Sequence, residues 1–334
     1  MTEKSVIITV AVFFIIGIGL GLYLSQTPFM QDITPPAEPA NPTFTHCPYQ
    51  YLNPLRCEPD KTVKTKEYTN LRNDVQDYIN EQEQNGSLTT ASVYFRDLQN
   101  GPIMTINGEE NFAPASLLKI PLMMTYLRKA QDDPSILQRR IPVAGDFSAL
   151  PQQNIKPQQA AVIGKEYTVN DLITLMITQS DDNSWEALLN DLRKNYSEDD
   201  FIETMNDLGI IDPRKSINNN DQFVNTEQYG AIFRLLYNSS YLNIPMSNEA
   251  LKLLAQSTFT NGIVAGVPPN VKTAHKFGER IAGGDEQLLD CGIVYYTPNP
   301  YIICIMTRGH DIPVLEGIIQ QISQSVFNEV RSRN

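Results

Sequence analysis

The chain has 334 residues, 41% hydrophobic and 19% charged, with a formal net charge of -12. That length holds one large domain with a real core, or two ordinary ones. Such acidity, with no basic patch and interleaved aromatics, makes a poor nucleic-acid binder. His46, His275 and His310 show no metal-ligand spacing, and no cofactor is expected.

The N-terminal run from Val6 to Leu24, VIITVAVFFIIGIGLGLYL, is uncharged and follows Lys4. It is long enough to span a bilayer, and the residues after it offer no clear cleavage site. Residues 1–24 therefore read as an uncleaved membrane anchor, with the rest of the chain outside the cytoplasm. Residues 25–45 are rich in Pro and uncharged polar residues and read as a semi-extended tether. Residues 46–67 form a small Cys-containing segment. Its loop, 47-CPYQYLNPLRC-57, predicts a local disulfide in an exported context.

The 69–85 stretch carries Leu71, Val75, Tyr78 and Ile79 at helical spacing, and Asn85-Gly86 stops that helix. ASVYFRDL and PIMTI alternate as two strands around Gln99-Asn100-Gly101-Pro102, a hairpin. Then comes 112-FAPASLLKIPLMMTYLRKA-130, predicted as one long helix. It sets Ser116 three residues ahead of Lys119 in apolar surroundings. Positions three apart share a helix face, so the two side chains can touch. Burial disfavours the ammonium, and a neutral amine beside a hydroxyl is a general base beside a nucleophile.

From about residue 130 to 260 the chain is mostly helical, including VNDLITLMITQS, SWEALLNDLRKN, EDDFIETMNDLG and TEQYGAIFRLLYNSS. Strands return with VKTAHKFGE, LLDCGIVYY and YIICIMT, and the amphipathic PVLEGIIQQISQSVFNEV closes the chain. If the last hairpin closes on TPNP, Cys291 and Cys304 are diagonal neighbours, and two buried thiols are expected. Strands at both ends with helices between predict an α+β fold. Its antiparallel sheet is built from both ends of the domain, with an inserted all-helical subdomain. A crevice between the two would hold the active site.

Two further stretches complete a pattern: 176-MITQSDDNSWEALL-189 and 275-HKFGERIAGG-284. Ser-x-x-Lys, then Ser-Asp-x, then Lys-x-Gly, in that order and spacing, resembles the class A beta-lactamase-like, penicillin-recognising serine hydrolases over residues 68–330. The resemblance implies that Ser116 is the acylated nucleophile and Lys119 its proton partner. Ser180 would carry a proton to the leaving amine, and Lys276 would steer the substrate carboxylate. The backbone N–H groups of Ser116 and Glu279 would form the oxyanion hole, with Asp182, Phe277, Gly278 and Glu279 on the substrate side. The implied substrate is a beta-lactam or a peptidoglycan stem peptide ending in D-alanyl-D-alanine.

Three departures stand out. Asp182 occupies the usual Asn position, and an ionised carboxylate cannot donate to a substrate carbonyl. Phe277 replaces a Thr, and strand packing explains it better than a substrate contact. The stretch from Gly209 to Asn225 is short, contains no Glu, and has Asp212 and Asp221 as its only acids. The base that would activate water for deacylation is missing, so a slow second step is expected. A catalytically degenerate module that binds cell-wall peptide or beta-lactam is the alternative.

Overall fold

The computed structural model describes residues 68–99, 101–144, 147, 153–211, 221–282 and 284–333. The expected anchor, the tether and the Cys47–Cys57 loop lie outside the described residues. Among those described, no helix is long and apolar enough to cross a membrane.

Helix α1 (Thr69–Gln84) buries Leu71, Val75 and Ile79, the stripe that the periodicity marks. It ends at Asn85, and Gly86 takes the left-handed conformation (φ 78°) that a residue with a Cβ avoids. Strands β1 (Thr90–Asp97) and β2 (Ile103–Ile106) pair antiparallel. A 3₁₀ turn (Ala115–Leu118) leads into α2 (Lys119–Asp132). A two-stranded sheet follows, β3 (Arg140–Pro142) with β4 (Glu166–Thr168), which the sequence pattern does not reveal. Five helices come next: α3 (Val169–Thr178), α4 (Asp182–Asn195), α5 (Glu198–Asp207), α6 (Thr226–Tyr237) and α7 (Ile244–Leu254). Side-chain caps start each of them: Thr168, Asp181, Ser197, Asn225 and Asn243 accept from the first-turn amides.

The chain then returns to the main sheet with β5 (Thr273–Ala282), β6 (Asp285–Val294) and β7 (Tyr301–Gly309), and ends in α8 (Ile312–Ser332). The strand order is β2-β1-β7-β6-β5. Both ends of the domain thus meet where β1 pairs with β7, as expected. Strand β7 is buried on both faces, which suits its near-continuous apolar run. Ile302, Cys304 and Met306 face the core shared with the helical insertion. Ile303 and Ile305, one residue out of phase, face the core under α1 and α8. Strands β2 and β5 are the edges of this sheet, and β5 packs against the 3₁₀ turn and α7.

One expectation is corrected. Cys291 and Cys304 form a disulfide, not two buried thiols. The hairpin does not close on TPNP. Val294 pairs with Tyr301, leaving the longer connection Tyr295 to Pro300, and this register sets Cys291 directly opposite Cys304 with Cα atoms 4.0 Å apart. In unfolded, unreduced protein the Cys291 and Cys304 peptides should therefore resist alkylation. Labelling of both would contradict the pairing.

Candidate active site

The catalytic pair does not share one long α-helix. Ser116 sits in the 3₁₀ turn and Lys119 is the first residue of α2. In a 3₁₀ turn positions three apart eclipse, so contact survives: Lys119 Nζ lies 3.0 Å from Ser116 Oγ. Ala115, just before Ser116, has φ of 46°. A left-handed conformation at a residue with a Cβ is strained, and such strain persists only where surrounding contacts impose it.

Ser180 occupies the turn between α3 and α4 and also has positive φ, 56°. That conformation aims both of its oxygens at Lys119, at 2.6 Å for the carbonyl and 3.2 Å for the hydroxyl. Asp181 fixes the turn by capping α4 and by accepting the Ala161 amide at 3.0 Å. On the sheet side, Lys276 Nζ donates to Ser180 Oγ at 2.8 Å and to the Phe277 carbonyl at 2.9 Å. The fold thus brings Ser116, Lys119, Ser180 and Lys276 into one chain of contacts. Ser180 and Lys276 are wholly buried and Lys119 is 2% exposed.

Asp182 belongs to the same cluster. Its Oδ1 is 2.5 Å from Lys119 Nζ, an ion pair at the cleft wall. Burial pulls the Lys119 amine below its ordinary range, while the Asp182 carboxylate opposes that pull. The Lys276 amine is held well below its ordinary range by burial and then by the charge of Lys119.

Gly278 packs against the 3₁₀ turn. A Cβ there would lie 3.0 Å from the Pro114 carbonyl and 3.3 Å from the Ser116 amide, so glycine lets β5 approach the nucleophile. Glu279 follows it and lines the cleft. Beyond its expected backbone role, its side chain accepts the Ile155 amide at 2.9 Å, while Oε2 is buried without a partner. Burial pushes its carboxyl above the ordinary range, and the Ile155 amide pulls the other way. Phe277 does not belong with the substrate-side residues. It is 4% exposed and stacks on Phe259 with centroids 4.3 Å apart, turned into the core under α8. Its ring centroid also lies 4.3 Å from Lys276 Nζ.

The cleft holds about 440 Å³ and is lined by Ser116, Lys119, Asp182, Trp185 and Glu279, among others. Two contributors, Gln153 and Ile155, escaped the sequence reading. Gln153 Nε2 donates to the Ser180 carbonyl at 3.0 Å, and two residues on Ile155 meets Glu279, so one strap ties both walls of the cleft. Asp221, also on the lining, is 2.5 Å from Arg280 of β5. No local pattern announces partners so distant in sequence. Asp212 lies outside the described residues. Chemically, the cluster offers a hydroxyl nucleophile, an amine in contact with it, a second hydroxyl bridging two amines, and backbone N–H groups beside the nucleophile.

A sequence profile described as "Beta-lactamase enzyme family" matches residues 70–330. No curated protein sequence matches the chain. Among solved structures, a PBP-A variant described as an acyl-enzyme complex with penicillin G superposes with a TM-score of 0.65 at 20% identity, covering 79% of this chain and 97% of that one. The TLA-1 extended-spectrum beta-lactamase gives 0.64 at 14% identity, over 78% and 99%. A class A beta-lactamase from Mycobacterium abscessus gives 0.62 at 18% identity, over 76% and 98%. At these identities the likeness carries the fold alone.

Proposed function

Because the chain belongs to the beta-lactamase enzyme family, we propose that it is a serine acyl-transfer hydrolase acting on beta-lactams or D-alanyl-D-alanine cell-wall peptides through an acyl-enzyme on Ser116. The observation that carries this reading is the contact chain Ser116–Lys119–Ser180–Lys276. Lys119, as the neutral amine, takes the Ser116 proton while Oγ bonds to the carbonyl carbon. The amides of Ser116 and Glu279 hold the oxyanion, and the proton reaches the leaving nitrogen through Ser180, with Lys276 supporting that hydroxyl. The test is mass spectrometry after incubation with a penicillin. A covalent adduct mapped to the Ser116 peptide, and lost in Ser116→Ala, is expected. Its absence with reversible binding retained would establish the second reading, a binding or sensor module. The Lys119–Asp182 ion pair favours that second reading, because it opposes loss of the Lys119 proton.

That ion pair gives a sharper expectation. The Asp182 carboxylate raises the Lys119 pKa against the effect of burial. Asp182→Asn removes the charge, lowers the Lys119 pKa further and supplies an amide donor. The acid limb of the acylation rate should move to lower pH by about one unit or more, with a rate gain of about tenfold per unit below it. An unmoved limb would show that Asp182 does not govern Lys119.

We also propose that residues 1–24 anchor the domain outside the cytoplasm, on the strength of the apolar run Val6 to Leu24. Sequencing the N-terminus of membrane-extracted protein should find it intact. A mature chain beginning near residue 26 or later would overturn this.

A further inference from the structure

The cleft carries a cation that the proposed reaction does not use. Among the described residues its lining includes two, Lys119 and Arg280. Lys119 is already engaged by Asp182 and by both oxygens of Ser180. Arg280 is open. Its side chain is 27% exposed, and its Nη2 meets Asp221 Oδ2 at 2.5 Å on a side chain that is itself 55% exposed. An ion pair this open to water contributes little, so a second carboxylate can compete for the guanidinium. The guanidinium presents a fork of N–H donors that matches a carboxylate. The other carboxylates on the lining are engaged elsewhere, Asp182 with Lys119 and Glu279 with the Ile155 amide.

Position along β5 decides which part of a substrate meets Arg280. In the proposed acyl transfer the amides of Ser116 and Glu279 hold the oxyanion, so the scissile carbonyl lies between the 3₁₀ turn and β5. The leaving nitrogen turns toward Ser180, whose hydroxyl accepts from Lys276 at 2.8 Å. Lys276 and Arg280 stand on opposite sides of Gly278 in β5, about 13 Å apart at ordinary strand spacing. Positions two apart on a strand share a face. Arg280 therefore leaves β5 on the side where a Cβ at Gly278 would meet the Ser116 amide. The leaving group belongs at the Lys276 end and the acyl group at the Arg280 end. Phe223 and Ile281 also line the cleft, each close in sequence to one member of the ion pair, and supply apolar surface.

We propose that Arg280 is an acyl-side anion site, which selects acyl donors bearing a carboxylate and an apolar body on the acyl portion. Asp221 occupies the site until the carboxylate of such a substrate displaces its own. The inference deepens the acyl-transfer reading and rests on it. The carboxylate in question is not the one beside the leaving nitrogen, which penicillins and D-alanyl-D-alanine peptides share and which belongs at the Lys276 end. It is a second anion, carried by the part of the substrate that stays on Ser116. A merely structural Arg280, tying β5 to Asp221, would lower stability and slow all acyl donors alike.

The test compares benzylpenicillin with carbenicillin, which differs from it by one carboxylate on the acyl side chain. Adduct mass against time on the full-length protein gives a second-order acylation rate for each. Their ratio, carbenicillin over benzylpenicillin, cancels effects on the shared machinery. In Arg280→Gln the ratio should fall by about tenfold, the usual size for losing a hydrogen bond to a charged group. In Asp221→Asn it should rise, because the competing carboxylate is gone. An unchanged ratio in Arg280→Gln overturns the proposal, as does a ratio that fails to rise in Asp221→Asn. Should Arg280→Gln fail to fold, Asp221→Asn decides alone. If neither penicillin forms an adduct, the acyl-transfer reading fails, and the same ratio is then read in calorimetric binding constants with the same expected directions. Binding of neither would overturn both.

Discussion

A penicilloyl adduct on Ser116 should persist after excess penicillin is removed, outliving that of an enzyme with a positioned water-activating base by about 10²–10⁴-fold. The two half-reactions need different parts. Attack needs a nucleophile, a base and oxyanion donors, and the cluster around Ser116 holds them. Release needs a carboxylate free to take a proton from water on the other side of the ester. Between Gly209 and Asn225 the acids are Asp212 and Asp221. Asp221 is ion-paired with Arg280 at 2.5 Å. Glu279 reaches the cleft, but one oxygen holds the Ile155 amide and the other is buried. The measurement is adduct mass against time. Rapid loss with steady penicillin hydrolysis would show that one of these acids activates water after all, with Asp221 the first to replace.

The sequence made the sheet and the main helices legible because their signals are local. The stripe Leu71, Val75, Ile79 and the doubly buried run of β7 each point to one packing. Ser116 and Lys119 were legible for the same reason, since three-residue spacing holds in a 3₁₀ turn as in an α-helix. What escaped depends on register and on distant contacts. Cys291 and Cys304 face each other because the β6–β7 connection is longer than TPNP suggests, and sequence alone does not fix loop closure. Phe277 replaces a polar residue of the motif, yet it turns inward onto Phe259, as its apolar ring requires. Asp182 was legible as a departure, but its partner was not. It lines the cleft and is also ion-paired with Lys119. The strap of Gln153 and Ile155 left no trace in the pattern, because each residue acts through one polar contact to a segment far along the chain.

Replacing Lys119 separates the base from the scaffold. In Lys119→Ala the Ser116 hydroxyl loses the amine 3.0 Å away, and acylation should slow by about 10²–10⁴-fold, the usual contribution of a positioned base. The same substitution also frees Asp182 and removes a donor from both oxygens of Ser180. A buried ion pair broken on one side leaves an uncompensated charge, so stability should fall as well. Lys119→Ala, Asp182→Asn removes that complication. The double variant should regain stability relative to the single one, while its acylation stays slow, because the missing base is not restored. Acylation rates and urea midpoints for the two variants read the effects separately. If the double variant recovered its acylation rate along with its stability, the slow step of the single variant would be structural. Lys276, reaching the same Ser180 hydroxyl from the sheet side at 2.8 Å, would then be the amine that takes the proton.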